Sequence, residues 1–231
     1  MQKYFMPQII WAGFDVCLIF CGGEEELKAV RGSSRDDNVI FLHAPNNLGQ
    51  KKNLMFERAR DLEFDYVTTI DSDDFVHPTT TLHLIQVASD NGYWSAAEPF
   101  YFHDLITGAA GVFEGYASGH QLHGWGMGSA RVFSQSALRA LGSQPFKSGN
   151  KGMDDGMKKR LATWDIEVND RLVSTDTFKE LALPLPIGAK SDVNVWGIRD
   201  YKLNVRYREE FNTDWLLPDI KSALLNLQSR D

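Results

Sequence analysis

Short apolar runs and amphipathic stretches alternate along the first third of the chain. "FDVCLIF" (14–20) is almost continuously apolar and is followed by Gly22-Gly23, the pattern of a strand covered on both faces of a parallel sheet. "EEELKAV" (24–30) predicts a short helix, "RGSSRDDN" (31–38) a polar loop and "VIFLHA" (39–44) a second strand. In residues 47–62, Leu54, Met55, Arg58 and Leu62 recur at turn spacing, which predicts a helix, and "YVTTI" (66–70) follows as a third strand. Strand, helix, strand, helix, strand at these intervals predicts a parallel sheet with flanking helices.

Further along, "TTTLHLIQVASDNG" (79–92) reads as a helix that starts from a threonine cap and stops at Asn91-Gly92. "YWSAAEPFYF" and "GAAGVFEGYA" read as strands of a smaller, antiparallel part. "SARVFSQSALRALG" (129–142) predicts a strand and a helix, "DDGMKKRLATW" (154–164) a helix with two aspartates in its first turn, and "WLLPDIKSALLNLQSRD" (215–231) a terminal amphipathic helix.

The 231 residues suffice for one α/β domain, and 43% hydrophobic and 12% aromatic content supplies a core. The net charge of -7 weighs against wholesale nucleic-acid binding, yet residues 147–208 carry 12 Lys and Arg against 9 Asp and Glu, a local excess that permits an anionic partner. Cys17 and Cys21 are the only cysteines and share one face of a strand, too far apart for a disulfide within one extended segment. That pattern predicts a reducing, cytoplasmic setting. No apolar run reaches the roughly 20 residues of a membrane span, and the first residues do not have the pattern of a signal peptide.

The candidate chemistry lies in three stretches. Asp71, Asp73 and Asp74 follow the third strand, where open α/β sheets place their ligand crevice. Carboxylates at alternate positions suit a hard cation such as Mg²⁺, which takes one or two of them along with phosphate oxygens; alternatively they open a polar turn. Asp154-Asp155 in "GNKGMDDGMKKRL" favours the helix dipole by about 0.3 to 1 kcal/mol, or supplies a general base. In "HGWGMG" (123–128), Gly124 and Gly126 allow close backbone approach to a ligand and an exposed Trp125 stacks on a sugar or base, or else the segment is a tight loop. His120 and His123 have no matching ligand pattern for zinc, and neither a Walker loop nor a nucleophile elbow is present.

Taken in order, "NNLGQKKNLMFERARDLEFDYVTTIDSDDFVHP", "HGWGMGSARVFSQSALRALG" and "KGMDDGMKKRL" resemble the family 2-like glycosyltransferases of the GT-A fold, over roughly residues 14–175. The resemblance implies an α/β, Rossmann-like, mostly parallel sheet flanked by helices, with a smaller antiparallel part. It implies one domain over 1–208, its first strand-helix unit missing or shortened, and a C-terminal helical extension over 209–231. It makes Asp73 the metal ligand, with Asp71 on the ribose or the metal and Asp74 beside them. Asn47 and Lys52 come to the donor side, Trp125, Gly124 and Gly126 to the acceptor side, and Asp155 becomes the general base, with Asp154 in place of the usual Glu. The second strand normally ends in aspartates, where Cys21-Gly22-Gly23 stands here; no histidine follows His123, so Asp192 or Asn194 takes the place of the late histidine ligand.

The function so implied is a metal-dependent, inverting hexosyl- or pentosyltransferase using Mn²⁺ or Mg²⁺ and a nucleotide-sugar donor. Its acceptor is a glycan, a lipid-linked sugar or hydroxylated bases in DNA. Two rivals are a module of the same fold that binds nucleotide or sugar without turnover, and a HAD-like phosphatase, which "TTIDSDDF" resembles.

Overall fold

A computed structural model describes residues 13–33, 38–44, 47–142, 144–150, 156–159 and 171–190. The chain divides into two compact units, Met1–Val67 with Phe133–Glu167, and Thr68–Val132 with Val168–Asp231.

In the first unit, β1 (Leu18–Gly22) and β2 (Val39–His43) pair in parallel, Leu18 opposite Val39 and Gly22 opposite His43, and α1 (Glu24–Ser33) connects them. The strand thus begins at Leu18 and not at Phe14. Its first rung is set by Leu18 N donating to Asn38 O at 2.9 Å, and Gly22, expected to end the strand, is its last residue, its carbonyl accepting from Ala44 N at 3.2 Å. Helix α1 also absorbs Arg31–Ser33, which the polar pattern assigned to a loop. Helix α2 (Leu48–Asp61) buries Gly49, Lys52, Phe56 and Ala59, a stripe at 3- and 4-residue spacing. That stripe replaces the expected one of Leu54, Met55, Arg58 and Leu62, because the aromatic partners lie on the other side. The Phe56 ring meets Phe133 edge-on at 5.3 Å and Phe146 at 5.1 Å. Helix α4 (Gln135–Leu141) starts at Ser134, whose hydroxyl accepts from Ala137 N, and buries Ala137, Leu138 and Leu141.

The second unit holds strands β3 (Tyr66–Thr69), β4 (Asp74–Phe75), β5 (Trp94–Ala97), β6 (Phe100–Asp104), β7 (Ala110–Phe113), β8 (Arg131–Ser134), β9 (Leu172–Val173) and β10 (Ile187–Lys190), with β3 and β8 carrying the chain across the boundary. One sheet is ordered β4-β10-β6-β7 and the other β3-β8-β5-β9. Strands β6 and β10, and β5 and β9, run parallel, while β6–β7 and β4–β10 are antiparallel. Among the described residues the fold is therefore mixed α/β, with three small sheets of parallel and antiparallel strands. The expected antiparallel part is present at β6–β7: Asp104 Oδ1 accepts from the main-chain N–H groups of Ile106 and Thr107, an Asx turn that folds β7 back along β6.

Helix α3 (Pro78–Asn91) is capped by His77, whose ring nitrogen accepts from Thr79 N, with Pro78 in the first turn. The expected threonine cap is displaced because proline suits the first helical position and leaves the preceding residue extended. Gly92 ends the helix in the left-handed conformation, φ 77°. Helix α5 (Thr175–Glu180) begins at Ser174 in the same way as α4. Residues 156–159 are helical; Asp154, Asp155, Asp192, Asn194 and the extension over 209–231 lie outside the described residues.

Phe56→Ala removes the ring on which the first unit's aromatic cluster converges. The expected loss is about 3 to 5 kcal/mol, read as a lower urea midpoint at unchanged slope.

Candidate functional site

The carboxylates sit on the turn that leaves β3. Asp74 N donates to Asp71 O at 3.1 Å, so the four residues close into a turn and β4 begins at Asp74. The turn is tied on two sides. Asp71 N donates to Ser129 Oγ at 3.1 Å, and Asp73 O accepts from Ala189 N at 2.9 Å. The turn is therefore held on one flank by Ser129, just before β8, and on the other by β10.

Lys190, at the end of β10, brings its ammonium to 3.0 Å from Asp73 Oδ2 and 3.9 Å from Asp74 Oδ1. Asp74 is 4% exposed, and its Oδ1 has no hydrogen-bond partner. Burial, then the Asp73 charge, push the Asp74 carboxyl up to about 7; Lys190 and a hydrogen bond from Ser129 oppose that rise, and Asp71 adds to it. Ser129 therefore serves two aspartates, accepting from the main chain of one and donating to the carboxyl of the other. Sequence reasoning missed both Ser129 and Lys190. The signal for Ser129 was its place just before the β8 run; Lys190, 117 residues from Asp73, had none.

Among the described residues no group of three or more His, Cys, Asp or Glu side chains forms a metal cage. The aspartates nonetheless fit a hard divalent cation, which needs only one or two carboxylates from protein. Asp74 Oδ1 is a buried oxygen with no hydrogen-bond donor, 3.9 Å from the ammonium that pairs with Asp73. Asp73 and Asp74 would hold such an ion, with Asp71 beside them.

The glycine segment is packing. Trp125 is 1% exposed, its ring 4.7 Å from Trp94 and under the Arg131 guanidinium at 4.7 Å. The exposed stacking face expected of Trp125 is not there, because the Trp94 ring and the buried Arg131 take it. Gly126 is buried, its carbonyl accepting from Arg131 Nη2 at 2.6 Å; a Cβ there would stand 2.5 Å from Ala96 Cβ and 2.9 Å from Ala97 O. Gly124 turns the chain at φ 70°. His123 Nδ1 lies 2.8 Å from Tyr116 O, and the His120 ring stacks on Tyr116 at 4.8 Å. Glu98, half-buried in the same unit, is a further carboxyl that burial pushes up, with His123 and the Thr175 N–H opposing.

Asn47 and Lys52 belong to the first unit. Asn47 caps α2, its Oδ1 accepting from Gln50 N and Gly149 N, while its Nδ2 donates to Ser148 Oγ at 3.2 Å. Leu48 N and Gly49 N extend the clamp to Asn150 Oδ1 and Gly149 O. Lys52 is 6% exposed, its ammonium 5.7 Å above the Phe146 ring. Asn53, which sequence reasoning passed over, exchanges two hydrogen bonds with the Phe146 main chain, at 2.8 and 3.0 Å. These side chains hold residues 146–150, the approach to Asp154-Asp155. A cavity of about 340 Å³ lies beside them, lined by His43, Gln50, Asn53, Glu57, Gln144 and Phe146 among others.

Two outcomes follow from this geometry. Gly126→Ala meets a methyl and a carbonyl that cannot rotate away, and loses about 1 to 3 kcal/mol in denaturant titration. Between about pH 4 and pH 7 the folded Asp74 keeps a proton that the unfolded chain releases, so stability falls as pH rises across that window. In chelator, Asp74→Asn flattens the decline and melts above the parent at pH 7.5. No protein-family model and no curated protein matches the sequence.

Proposed function

We propose that the chain is a glycosyltransferase that moves a sugar from a nucleotide-sugar donor to an acceptor hydroxyl, with Mn²⁺ or Mg²⁺ at Asp71, Asp73 and Asp74. The observation that supports it is the carboxylate turn after β3, where the buried Asp74 Oδ1 has no hydrogen-bond donor and the Lys190 ammonium, on Asp73 at 3.0 Å, stays 3.9 Å away from it. Burying such charge costs stability, and a turn pinned by Ser129 and Ala189 keeps it in place all the same.

The roles follow from the residues. Asp73 and Asp74 would hold the cation at the donor's diphosphate end. Asp71 faces the ribose or the cation, its main chain set by Ser129. The bound cation supplies charge neutralisation of the diphosphate leaving group. Asp155, by its match to the family's acidic pair, takes the proton of the acceptor hydroxyl, with Asp154 beside it and Asp192 as a third ligand. Attack from the face opposite the leaving group inverts the anomeric centre. The acceptor is a glycan, a lipid-linked sugar or a hydroxylated base in DNA; the local lysine excess over 147–208 suits the polyanionic choice.

A thermal-shift screen of nucleotide sugars with and without Mn²⁺ tests the reading. The cognate donor at 100 times its Kd stabilises by about 2.7 kcal/mol, several degrees for a chain of this size, and only with the metal. Asp73→Asn abolishes the shift. If no nucleotide sugar shifts the melting temperature with Mn²⁺ present, the reading is wrong. Metal-dependent binding without turnover of labelled donor would instead identify a binding module.

A further inference from the structure

We propose that Lys190 is the resident counter-cation of the carboxylate site and competes with the divalent ion for Asp73, so that this lysine sets how tightly the site takes metal. The inference rests on reading Asp71, Asp73 and Asp74 as a cation site.

The main chain delivers the ammonium to the carboxylates. Strand β10 lies between β4 and β6, with Gly188 opposite Asp74 on one side and Lys190 opposite Asp104 on the other. Ala189 N donates to Asp73 O at 2.9 Å and Leu105 N to Lys190 O at 2.7 Å, so the Lys190 backbone is held from both flanks. Gly188 permits the close approach: a Cβ there would stand 2.6 Å from the Phe102 ring and 3.0 Å from Asp74 Oδ1. The Phe102 ring lies 5.0 Å from the ammonium and adds a cation–π contact. Lys190 is 9% exposed, so this is a built ion pair and not a surface lysine resting on an acid.

The pair leaves the site unfinished. At 3.0 Å the ammonium serves Asp73 Oδ2, but at 3.9 Å it does not reach Asp74 Oδ1, which keeps no hydrogen-bond partner. A hard divalent ion binds carboxylate oxygens at about 2.0 to 2.2 Å and brings twice the charge. It repels an ammonium a few ångströms away. A metal on Asp73 Oδ2 displaces the ammonium from that oxygen, and the ammonium is on a flexible four-carbon stem that can swing aside. Metal entry therefore frees an ammonium inside the site, where a donor's phosphate is its natural new partner. The lysine holds the cluster together without metal and weakens the metal's affinity.

The test is Mn²⁺ alone, titrated by electron paramagnetic resonance into the parent, Lys190→Gln and Lys190→Met, with folding checked by circular dichroism. Both variants are expected to bind Mn²⁺ at least tenfold more tightly than the parent, and adding Asp73→Asn to Lys190→Gln should remove that binding. Binding by the variants but not by the parent also upholds the inference, while ending the metal-dependent part of the proposed function. Equal or weaker binding by the variants, with the parent binding, overturns the inference and leaves the cation site standing. No binding by any folded protein overturns both. Should neither variant fold, acetic-anhydride labelling of the parent decides: Mg²⁺ should raise labelling of Lys190 severalfold, and unchanged labelling in Mg²⁺ that protects the protein thermally overturns the inference.

Discussion

Asp73 and Asp74 of the second unit share the Lys190 ammonium, and the strands around them are arranged so that Lys190 stands there. A carboxylate taken out of water is costly unless paired. Here the partner comes from a distant strand, and the ladder from β4 through β10 to β6 is what places it. Gly188 keeps that ladder tight against Phe102 and Asp74. The compensation at Asp74 is partial, since Lys190 stays 3.9 Å from its Oδ1, which keeps no hydrogen-bond partner.

The loop over 123–130 supports this cluster from behind. Its aromatic face is turned inward, where Trp125, Trp94 and Arg131 pack together. Packing of that kind holds Ala130 at φ 52°, a conformation uncommon outside glycine. With Ala130 N bonded to Thr69 O, the neighbouring Ser129 hydroxyl reaches Asp71 and Asp74. The glycines of the segment thus act through the backbone they allow. What looked like a ligand surface is the brace of an acidic turn.

In the first unit the same economy applies to "NNLG". Asn47, Leu48 and Gly49 spend their polar groups on residues 148–150, and Asn53 spends its amide on Phe146. A motif that resembles a donor-side loop is, in this structure, a clamp on the segment leading to Asp154-Asp155.

Local chemistry was legible from the sequence wherever neighbours along the chain decide it. A helix close to 48–61, the Gly92 stop, the strand and helix at 131–141 and the acidic turn after β3 all follow from local patterns and turn residues. Strand limits were less legible, because β1 is defined by its ladder with β2 and not by its own apolar run. Which face of α2 is buried depended on Phe133 and Phe146, more than 70 residues away. The fate of Trp125, whose flanking glycines suit an exposed loop and a buried one equally, depended on Trp94 and Arg131. The sequence alone determined that three aspartates gather on one turn. Tertiary structure decided that Ser129 and Lys190 face them, since such charge pairing depends on which strands lie side by side, and no spacing along the chain records that.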